Sequence, residues 1–114
     1  YVICRRKLFK IIKNFKEKIA HVHCKDMRGN VLKKSLSKNL SFRHAFLEGA
    51  FTVPGDGCID YNPVLEQLKK NDYKSWLVVE AEQDPKKANP FEYAKKGYAY
   101  LKKTANEVGF EIIE

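Results

Sequence analysis

"IAHVHCKDMRG", residues 19–29, contains two histidines, a lysine and an aspartate within an otherwise apolar stretch. The pattern of this stretch decides the fold that the sequence predicts. Residues 19–25 are predicted to form a strand. Side chains alternate between the two faces of a strand, so His21, His23 and Lys25 should share one face. The opposite face is apolar and carries the residues between them: Ala20, Val22 and Cys24. One face therefore packs on a core, and the other can carry chemistry.

A second buried strand is predicted in "SWLVVEAEQDP", residues 75–85. Its continuous apolar run, residues 76–79, is typical of a parallel strand that is covered on both faces. Glu80 and Glu82 follow this run directly. Because the carboxyl ends of parallel strands meet at the same edge of a sheet, the sequence places four ionisable side chains at one rim. These are His23, Lys25, Glu80 and Glu82.

Helices are predicted before and between the two strands. Apolar residues that recur mostly at spacings of three and four predict an amphipathic helix over residues 5–18. These apolar residues are Leu8, Phe9, Ile11, Ile12 and Phe15. A polar, lysine-rich loop is expected after residue 30, and "SFRHAFLEGAF", residues 41–51, predicts a short helix capped by Ser41.

The second half of the chain carries clear helix boundaries. After a tight turn in "VPGDGCIDY", residues 53–61, Asp60 is predicted to cap a helix over residues 61–70. Asn89, followed by a proline and then a glutamate, predicts a long helix that runs to about Asn106. The final "FEIIE", residues 110–114, either adds a short strand or only lies against the body.

The order of these elements predicts an α/β fold. Two βα units follow an initial helix, which is typical of a parallel sheet. No internal repeat, low-complexity tract or linker divides the sequence, so residues 1–114 are predicted to form a single segment.

The composition narrows the class of protein. The chain has 22 Lys+Arg against 14 Asp+Glu, a formal net charge of +8, and much of the excess lies in residues 1–18. Such an excess can indicate nucleic acid or an anionic membrane surface. We favour solvated helix faces, because the lysines of this segment fall between apolar positions at helical spacing. We therefore expect no nucleic-acid partner, and a small basic nucleic-acid-binding module is kept as an alternative.

Cysteine usage and hydropathy predict a cytoplasmic protein. Cys4, Cys24 and Cys58 form no CxxC pair and have no regular spacing, which argues against a disulfide framework and a zinc knuckle. A reducing compartment fits best. No apolar run reaches the roughly 18 to 20 residues that cross a bilayer, and the start lacks the pattern of a signal peptide. We therefore expect no membrane partner and no export.

The predicted rim suits a divalent metal. His23 and Glu80 would offer imidazole and carboxylate ligands, a mixed set that suits Mn²⁺, Co²⁺, Mg²⁺ or Zn²⁺. A carboxylate that follows a buried strand is also costly without a cation or hydrogen bonds. The alternative is that one or both histidines are ordinary polar residues near the end of a sheet.

Two basic residues near the rim have open roles. Lys25 can carry a proton if desolvation or nearby cations depress its pKa, or it can form a salt bridge with Glu80 or Glu82. Arg28 can hold an oxygen-rich ligand, or it can be solvated. The sequence "PGDG" lacks the remainder of a phosphate-binding fingerprint and is interpreted as a tight turn beside the site.

Three stretches resemble the inosose dehydratases, lyases of inositol catabolism in the xylose-isomerase-like TIM-barrel superfamily. They are "HVHCKD" (21–26), "EGAFTVPGDGCIDY" (48–61) and "WLVVEAEQDPKKANP" (76–90), and the resemblance extends from the first helix to about Leu101. It implies the C-terminal part of a (β/α)₈ barrel, about two βα units with the preceding helix. A complete barrel takes about 250 residues, so the resemblance also implies that activity requires a part that this chain lacks.

The resemblance implies a role for each rim residue. His23 and Glu80 match metal ligands, with Mn²⁺ or Co²⁺ as the expected ion. His21, Lys25 and Glu82 match positions near the substrate and are expected to take part in catalysis, and Arg28 is expected to bind substrate. The implied reaction is dehydration of 2-keto-myo-inositol (scyllo-inosose), a small polyol ketone, to a trihydroxycyclohexane dione. For the complete enzyme, a homo-oligomer stays open.

Two further alternatives stay open at this point. A ketose epimerase or sugar isomerase of the same superfamily would share the His and Glu ligands. A small α/β domain that self-associates to cover its open sheet edges would need no catalytic site.

Overall fold

The computed structural model describes residues 5–113, except for the side chains of residues 5–7. Five helices and four strands are assigned in this range: α1 (Arg5–Asn14), β1 (His21–Cys24), β2 (Asp26–Met27), α2 (Gly29–Ser37), α3 (Phe42–Leu47), β3 (Phe51–Thr52), α4 (Asn62–Lys70), β4 (Trp76–Val79) and α5 (Pro90–Glu107).

The two long strands are neighbours and parallel. β1 pairs with β4 in a register that sets His21 beside Trp76 and Cys24 beside Val79. The parallel α/β arrangement expected from the sequence is therefore confirmed. Within residues 5–113 the sheet stays open, because it contains these two strands and no others.

One hydrophobic core joins the ends of the described chain. Cys24 on β1 is completely buried, whereas His21 and His23 on the opposite face are exposed, as the alternation predicts. The buried cluster draws on α1, β1, α4 and α5: Ile12, Cys24, Tyr61, Val64, Leu65, Leu68, Leu101 and Ala105. Because the β1–β4 pair packs on this core by one face, its other face is left free for polar groups.

The first helix is shorter than the sequence predicts. α1 ends at Asn14, and a single 3₁₀ turn over Lys16–Lys18 leads to β1. Of the predicted apolar face, Ile12 is buried, but Ile11 and Phe15 are 52% and 51% exposed. The apolar stripe was predicted too long, because the helix ends before Phe15 can continue it.

The segment between β1 and α4 also differs from the prediction. Residues 29–37 form α2 where a loop was expected, and Val31 and Leu32 are half-buried on it. The predicted short helix, α3, is capped by the Ser41 hydroxyl but ends at Leu47. Gly49 then takes a positive φ of 79°, and the chain continues as β3, antiparallel to β2. These two-residue strands carry too little pattern to be predicted from sequence.

The helix starts in the second half agree with the prediction to within one residue. The Asp60 carboxylate accepts the Asn62 N–H at 3.1 Å, and α4 begins at Asn62, one residue later than predicted. The Asn89 side chain accepts from two N–H groups of α5. Residues 110–113 form no strand, and Phe110 and Ile112 pack against the core.

Among residues 5–113, no helix combines the length and the apolar composition needed to cross a membrane.

Candidate functional site

The central pair of the predicted rim lies on neighbouring strands. His23 belongs to β1, and Glu80 follows β4 directly. The Glu80 N–H donates to the Cys24 carbonyl at 3.0 Å, which extends the strand pairing by one residue. As a result, the His23 Nδ1 atom lies 3.0 Å from the Glu80 Oε2 atom. The expectation that these groups emerge side by side is confirmed.

Lys25 joins both glutamates at this rim. Its Nζ atom lies 2.8 Å from the Glu80 Oε1 atom, and it also forms an ion pair with the Glu82 carboxylate. The same ammonium lies 5.4 Å from the centre of the Phe51 ring, within range of a cation–π contact. The side chain of Lys25 is 27% exposed. Lys25 therefore links the two carboxylates while remaining accessible from solvent.

The charges of this group reinforce one another. Desolvation alone would lower the pKa of Lys25, but its hydrogen bonds to Glu80 and Glu82 outweigh desolvation and raise that pKa. Hydrogen bonds from Lys25 and His23 lower the pKa of Glu80. Lys25 is thus held as a cation in salt bridges with Glu80 and Glu82, and its role in catalysis stays a prediction. The depressed pKa that a neutral lysine base would need is absent.

Glu82 has an unusual backbone conformation for its residue type. Its φ is 47°, in the left-handed region that non-glycine residues seldom occupy. This conformation costs about 1 to 2 kcal/mol for a residue with a Cβ. Glu82 lies three residues after the end of β4 and carries the carboxylate that pairs with Lys25. A strained residue at a strand end is common at functional sites, where its geometry serves the site.

Arg28 lies beside the rim but is committed to other partners. Its guanidinium donates to the Asp56 carboxylate at 2.7 Å and to the Gly49 carbonyl at 2.9 Å. It also donates to the Thr52 hydroxyl at 3.2 Å and lies 3.4 Å from the Tyr93 hydroxyl. These bonds tie the end of β2 to the 53–58 turn and to α5. Substrate binding by Arg28 stays a prediction, and the contacts make it a structural anchor.

Asp26 is a residue of this region that sequence reasoning missed. It is completely buried, and its carboxylate accepts the N–H groups of Met27 at 2.7 Å, Ile59 at 2.9 Å and Gly55 at 3.2 Å. A Cβ atom on Gly57 would overlap this carboxylate. Asp26 therefore fixes the "PGDG" turn beside the site. The glycines of that turn were the available signal, because they indicated a close approach of backbone to another group.

His21 and the cysteines stand apart from the rim contacts. In the described part of the chain, the exposed His21 side chain makes no hydrogen bond or ion pair. Burial raises the pKa of the Cys24 thiol to about 12, so this thiol stays protonated within the core. Cys58 is exposed and free.

His23 and Glu80 fit two ligands of one divalent ion. Ligand atoms of Mn²⁺-like ions lie about 2.1 Å from the metal, so adjacent octahedral ligands are about 3 Å apart. The observed 3.0 Å between Nδ1 and Oε2 is the length of the hydrogen bond that joins them, and it equals that spacing, so an ion held by both atoms would take the place of the proton between them. No group of three or more His, Cys, Asp or Glu side chains that could hold a metal occurs among residues 5–113. The two residues fit part of a metal site, and further ligands would have to come from outside this group.

The family follows from comparison with known proteins. The family described as xylose isomerase-like TIM barrel matches residues 5–104. The chain belongs to this family. The partial, open α/β sheet with parallel strands is thus a piece of the xylose isomerase-like barrel, and the fold class expected from the resemblance is confirmed.

Several curated proteins are similar to this chain over most of its length. An inosose dehydratase of Glaesserella parasuis is 48% identical over 102 residues, which are 90% of this chain and 34% of that protein. The rhizopine catabolism protein MocC of Rhizobium meliloti is 53% identical over 96 residues, 84% of this chain and 30% of that protein. An inosose dehydratase of Clostridium beijerinckii is 51% identical over 92 residues, 81% of this chain and 31% of that protein. The chain spans about a third of the length of these curated relatives.

Proposed function

We propose that this chain supplies part of the active site of a metal-dependent hydro-lyase that dehydrates scyllo-inosose to a trihydroxycyclohexane dione. The observation that carries the proposal is the contact of His23 with Glu80, together with the cation Lys25 that bridges Glu80 and Glu82. The relatives named inosose dehydratase support the choice of substrate.

His23 and Glu80 are the residues that would hold the metal, and Mn²⁺ or Co²⁺ is the ion proposed. When bound, a divalent ion supplies Lewis acidity that stabilises negative charge on a carbonyl oxygen. The Nδ1 and Oε2 atoms suit such an ion because imidazole and carboxylate are ligands of both metals.

Lys25 and Glu82 are proposed to move the two protons of the reaction. The Glu82 carboxylate takes the proton from the carbon next to the ketone, and the electron pair of that C–H bond forms the enolate. The C–O bond to the β-hydroxyl then breaks, and the Lys25 Nζ atom gives this leaving hydroxyl the proton that makes it water. Glu82 returns its proton to Lys25 through their direct contact. Loss of water leaves the enol of the dione, which takes a proton at the carbon that lost the hydroxyl and gives up its enol O–H proton to become the dione. The balance is one dione and one water for each inosose.

Protonation of Lys25 in the resting state suits this role. A general acid must carry its proton before the reaction begins, and the two carboxylates raise the pKa of Lys25. Because Glu82 accepts a hydrogen bond from Lys25, both groups start in the state that the reaction needs. His21 shares this face of β1, and its catalytic role stays a prediction.

The remaining expectations are part of the same proposal. The partner is a small polyol ketone rather than nucleic acid or a membrane. The protein works in the cytoplasm. For the complete enzyme, a homo-oligomer stays open. A basic nucleic-acid-binding module would place exposed cations on the site face, whereas Lys25 is neutralised there by two glutamates.

The test uses a chimera in which this chain replaces the aligned third of the Glaesserella parasuis enzyme. Dehydration of scyllo-inosose by the chimera with Mn²⁺ or Co²⁺ is followed through the ultraviolet absorbance of the dione. We expect the chimera to form the dione and its Lys25→Met variant to lose it. A folded chimera that binds metal but forms no dione would overturn the proposal, and epimerised inosose without loss of water would favour a sugar epimerase.

A further inference from the structure

The Tyr61 side chain contacts the backbone of Lys25, the residue that joins the two rim carboxylates. Its hydroxyl donates to the Lys25 carbonyl at 2.8 Å. Tyr61 directly precedes α4, and its own carbonyl accepts the Leu65 N–H at 2.9 Å, which joins it to that helix. A helix of the hydrophobic core therefore carries the side chain that reaches Lys25.

The Tyr61 ring is fixed within the core. Tyr61 is 5% exposed and belongs to the buried cluster. Its ring packs edge-on against Tyr100 of α5, with ring centres 6.3 Å apart and an interplanar angle of 77°. Tyr100 in turn packs closely on Gly55, where a Cβ atom would overlap its ring. The place of the Tyr61 hydroxyl is therefore set by two helices and by the turn beside the site.

Two hydrogen bonds hold the backbone on either side of the Lys25 Cα atom. The Cys24 carbonyl, which precedes this atom, accepts the Glu80 N–H at 3.0 Å, and the Lys25 carbonyl, which follows it, accepts from Tyr61. Because a peptide unit is planar, a bond to its carbonyl orients the whole unit. With both units held, the backbone dihedrals of Lys25 are restricted, and so is the direction in which its side chain leaves the backbone.

Lys25 lies at a break between two strands. β1 ends at Cys24, and β2 begins at Asp26. Since β1 pairs with β4 whereas β2 pairs with β3, the chain passes from one strand pair to the other at Lys25. The Lys25 carbonyl belongs to neither strand, and a side chain supplies its donor.

The direction of the Lys25 side chain matters because its ammonium has close partners. The Nζ atom lies 2.8 Å from the Glu80 Oε1 atom and pairs with the Glu82 carboxylate. The ring of Phe51 lies 5.4 Å away on another side. A small rotation at the Cα atom of a long side chain becomes a large displacement at its tip. A displacement of about 1 Å costs about 10²-fold in rate when the displaced group acts in the reaction.

Tyr73 makes the same kind of contact at the opposite end of the sheet. Its hydroxyl donates to the carbonyl of Trp76, the first residue of β4, at 2.7 Å. A buried tyrosine hydroxyl usually finds a partner, so such a contact can serve the fold alone. Tyr61 differs from Tyr73 in its acceptor, which belongs to the residue that carries the rim ammonium.

We propose that Tyr61 is a positioning residue for Lys25, whose hydroxyl holds the Lys25 carbonyl and thereby directs the ammonium to its place between Glu80 and Glu82. The part that Lys25 takes in the reaction rests on the proposed function, whereas the placement of its side chain does not. Tyr61 is not a catalytic residue, because it acts through Lys25.

Steady-state kinetics of the chimera with the Glaesserella parasuis enzyme test this role. Tyr61→Phe removes the hydroxyl and keeps the ring, and Tyr73→Phe is the matched control. We expect Tyr61→Phe to lower kcat for dehydration of scyllo-inosose about tenfold and to leave KM within about twofold, because Lys25 acts only as the C–O bond breaks. Tyr73→Phe should change neither constant. An unchanged kcat in Tyr61→Phe, or equal losses in the two variants, would overturn the proposal.

A double-mutant cycle separates the positioning of Lys25 from a general effect on the fold. In the Lys25→Met chimera no ammonium is left to direct, so the addition of Tyr61→Phe should leave the residual kcat within about twofold. If the two losses multiplied instead, Tyr61 would act through another group, and the proposal would fail.

A second variant restores the donor at position 61. 4-Aminophenylalanine, introduced by suppression of a stop codon, places an N–H group where the Tyr61 hydroxyl was, and it serves even if Tyr61→Phe does not fold. We expect this chimera to keep kcat within about threefold of the unchanged one, the worth of a modest change in one hydrogen bond. A folded chimera of this kind with kcat as low as that of Lys25→Met would contradict the role of the donor.

A labelling measurement follows Lys25 without turnover. Acetic anhydride acetylates free amines, and mass spectrometry of the resulting peptides gives the rate at each lysine. Lys25 should be labelled about threefold to tenfold faster in Tyr61→Phe than in the unchanged chimera, which is the worth of one lost hydrogen bond. The exposed Lys33 on α2 should keep its rate. Faster labelling of Lys25 in a chimera that forms no dione would retain the positioning role and refute the lyase. Dione formation with unchanged kcat and unchanged labelling in Tyr61→Phe would do the opposite.

Discussion

The His23 Nδ1 atom and the Glu80 Oε2 atom lie 3.0 Å apart, although 57 residues separate them in the chain. The parallel register of β1 and β4 sets His23 beside Val78, and one more residue of pairing brings Glu80 to the same edge. The pair is therefore a product of the fold, and its chemistry depends on the packing of both strands.

Lys25→Met should abolish most of the activity. The substitution keeps the length of the side chain but removes the cation that neutralises Glu80 and Glu82 and, in the proposed reaction, protonates the leaving hydroxyl. Loss of a general acid reduces kcat by about 10²- to 10⁴-fold. Steady-state dehydration of scyllo-inosose by the chimera measures the effect, with Lys33→Met on α2 as the control for loss of a lysine. Activity within threefold of the unchanged chimera would remove Lys25 from the reaction.

The positive φ of Glu82 predicts that a glycine variant is more stable than an alanine variant at this position. Glu82→Ala and Glu82→Gly both remove the ion pair with Lys25, but only glycine relieves the positive φ of 47°. Glu82→Gly should therefore be about 1 kcal/mol more stable than Glu82→Ala. Chemical denaturation of the two variants checks the difference. At exposed helical positions such as Lys33, alanine is more stable than glycine. If alanine were also the more stable of the two at position 82, no strain would be stored there.

Asp56 predicts a pH-dependent contribution to stability. Its pKa is lower in the folded protein than in the unfolded chain, so its ion pairs with Arg28 and Lys96 stabilise the fold above the unfolded value of about 3.9. That contribution, on the order of 1 kcal/mol, is lost as the pH falls through the folded pKa. The midpoint temperature of thermal unfolding should be lower for Asp56→Asn than for the unchanged protein at pH 7. The two midpoints should converge as the pH falls below about 4. If the difference between the two midpoints stayed constant across this pH range, the loss of stability would come from the shape of the side chain rather than from its charge.

Asp26→Asn should destabilise the protein by about 2 to 3 kcal/mol. The Asp26 carboxylate accepts three backbone N–H groups and is completely buried, whereas an amide would turn an NH₂ group toward one of those donors. Asp72→Asn is the matched control, because Asp72 has a positive φ of 56° that asparagine tolerates. Denaturant midpoints compare the two, and equal midpoints would deny that Asp26 anchors the 53–58 turn.

Much of the rim could be predicted from sequence because it depends on local patterns. Strand alternation placed His23 and Lys25 on one face, and the apolar run before Glu80 marked a parallel strand. The contacts of Asp26 and Tyr61 could not be predicted in the same way. Their partners lie in the turn after β3 and in Lys25, and no periodicity reports contacts between segments so far apart.

The helices show the same division. Asn89 and Ser41 carry cap signals within three or four residues, and the structure places both at helix starts. α2 has no strong cap, and its first residue is a glycine, so the sequence there favoured a loop. The end of α1 at Asn14 likewise has no glycine or proline beside it that would mark it in the sequence.

Mn²⁺ binding by the chimera that carries this chain within the Glaesserella parasuis enzyme tests the central claim that His23 and Glu80 share one ion. Electron paramagnetic resonance of free Mn²⁺ gives the dissociation constant, with His23→Ala compared against His21→Ala, a variant of the same strand face two residues away. We predict that His23→Ala weakens Mn²⁺ binding at least tenfold and that His21→Ala leaves it unchanged. Equal affinity of His23→Ala and the unchanged chimera would contradict the shared metal and the lyase mechanism built on it.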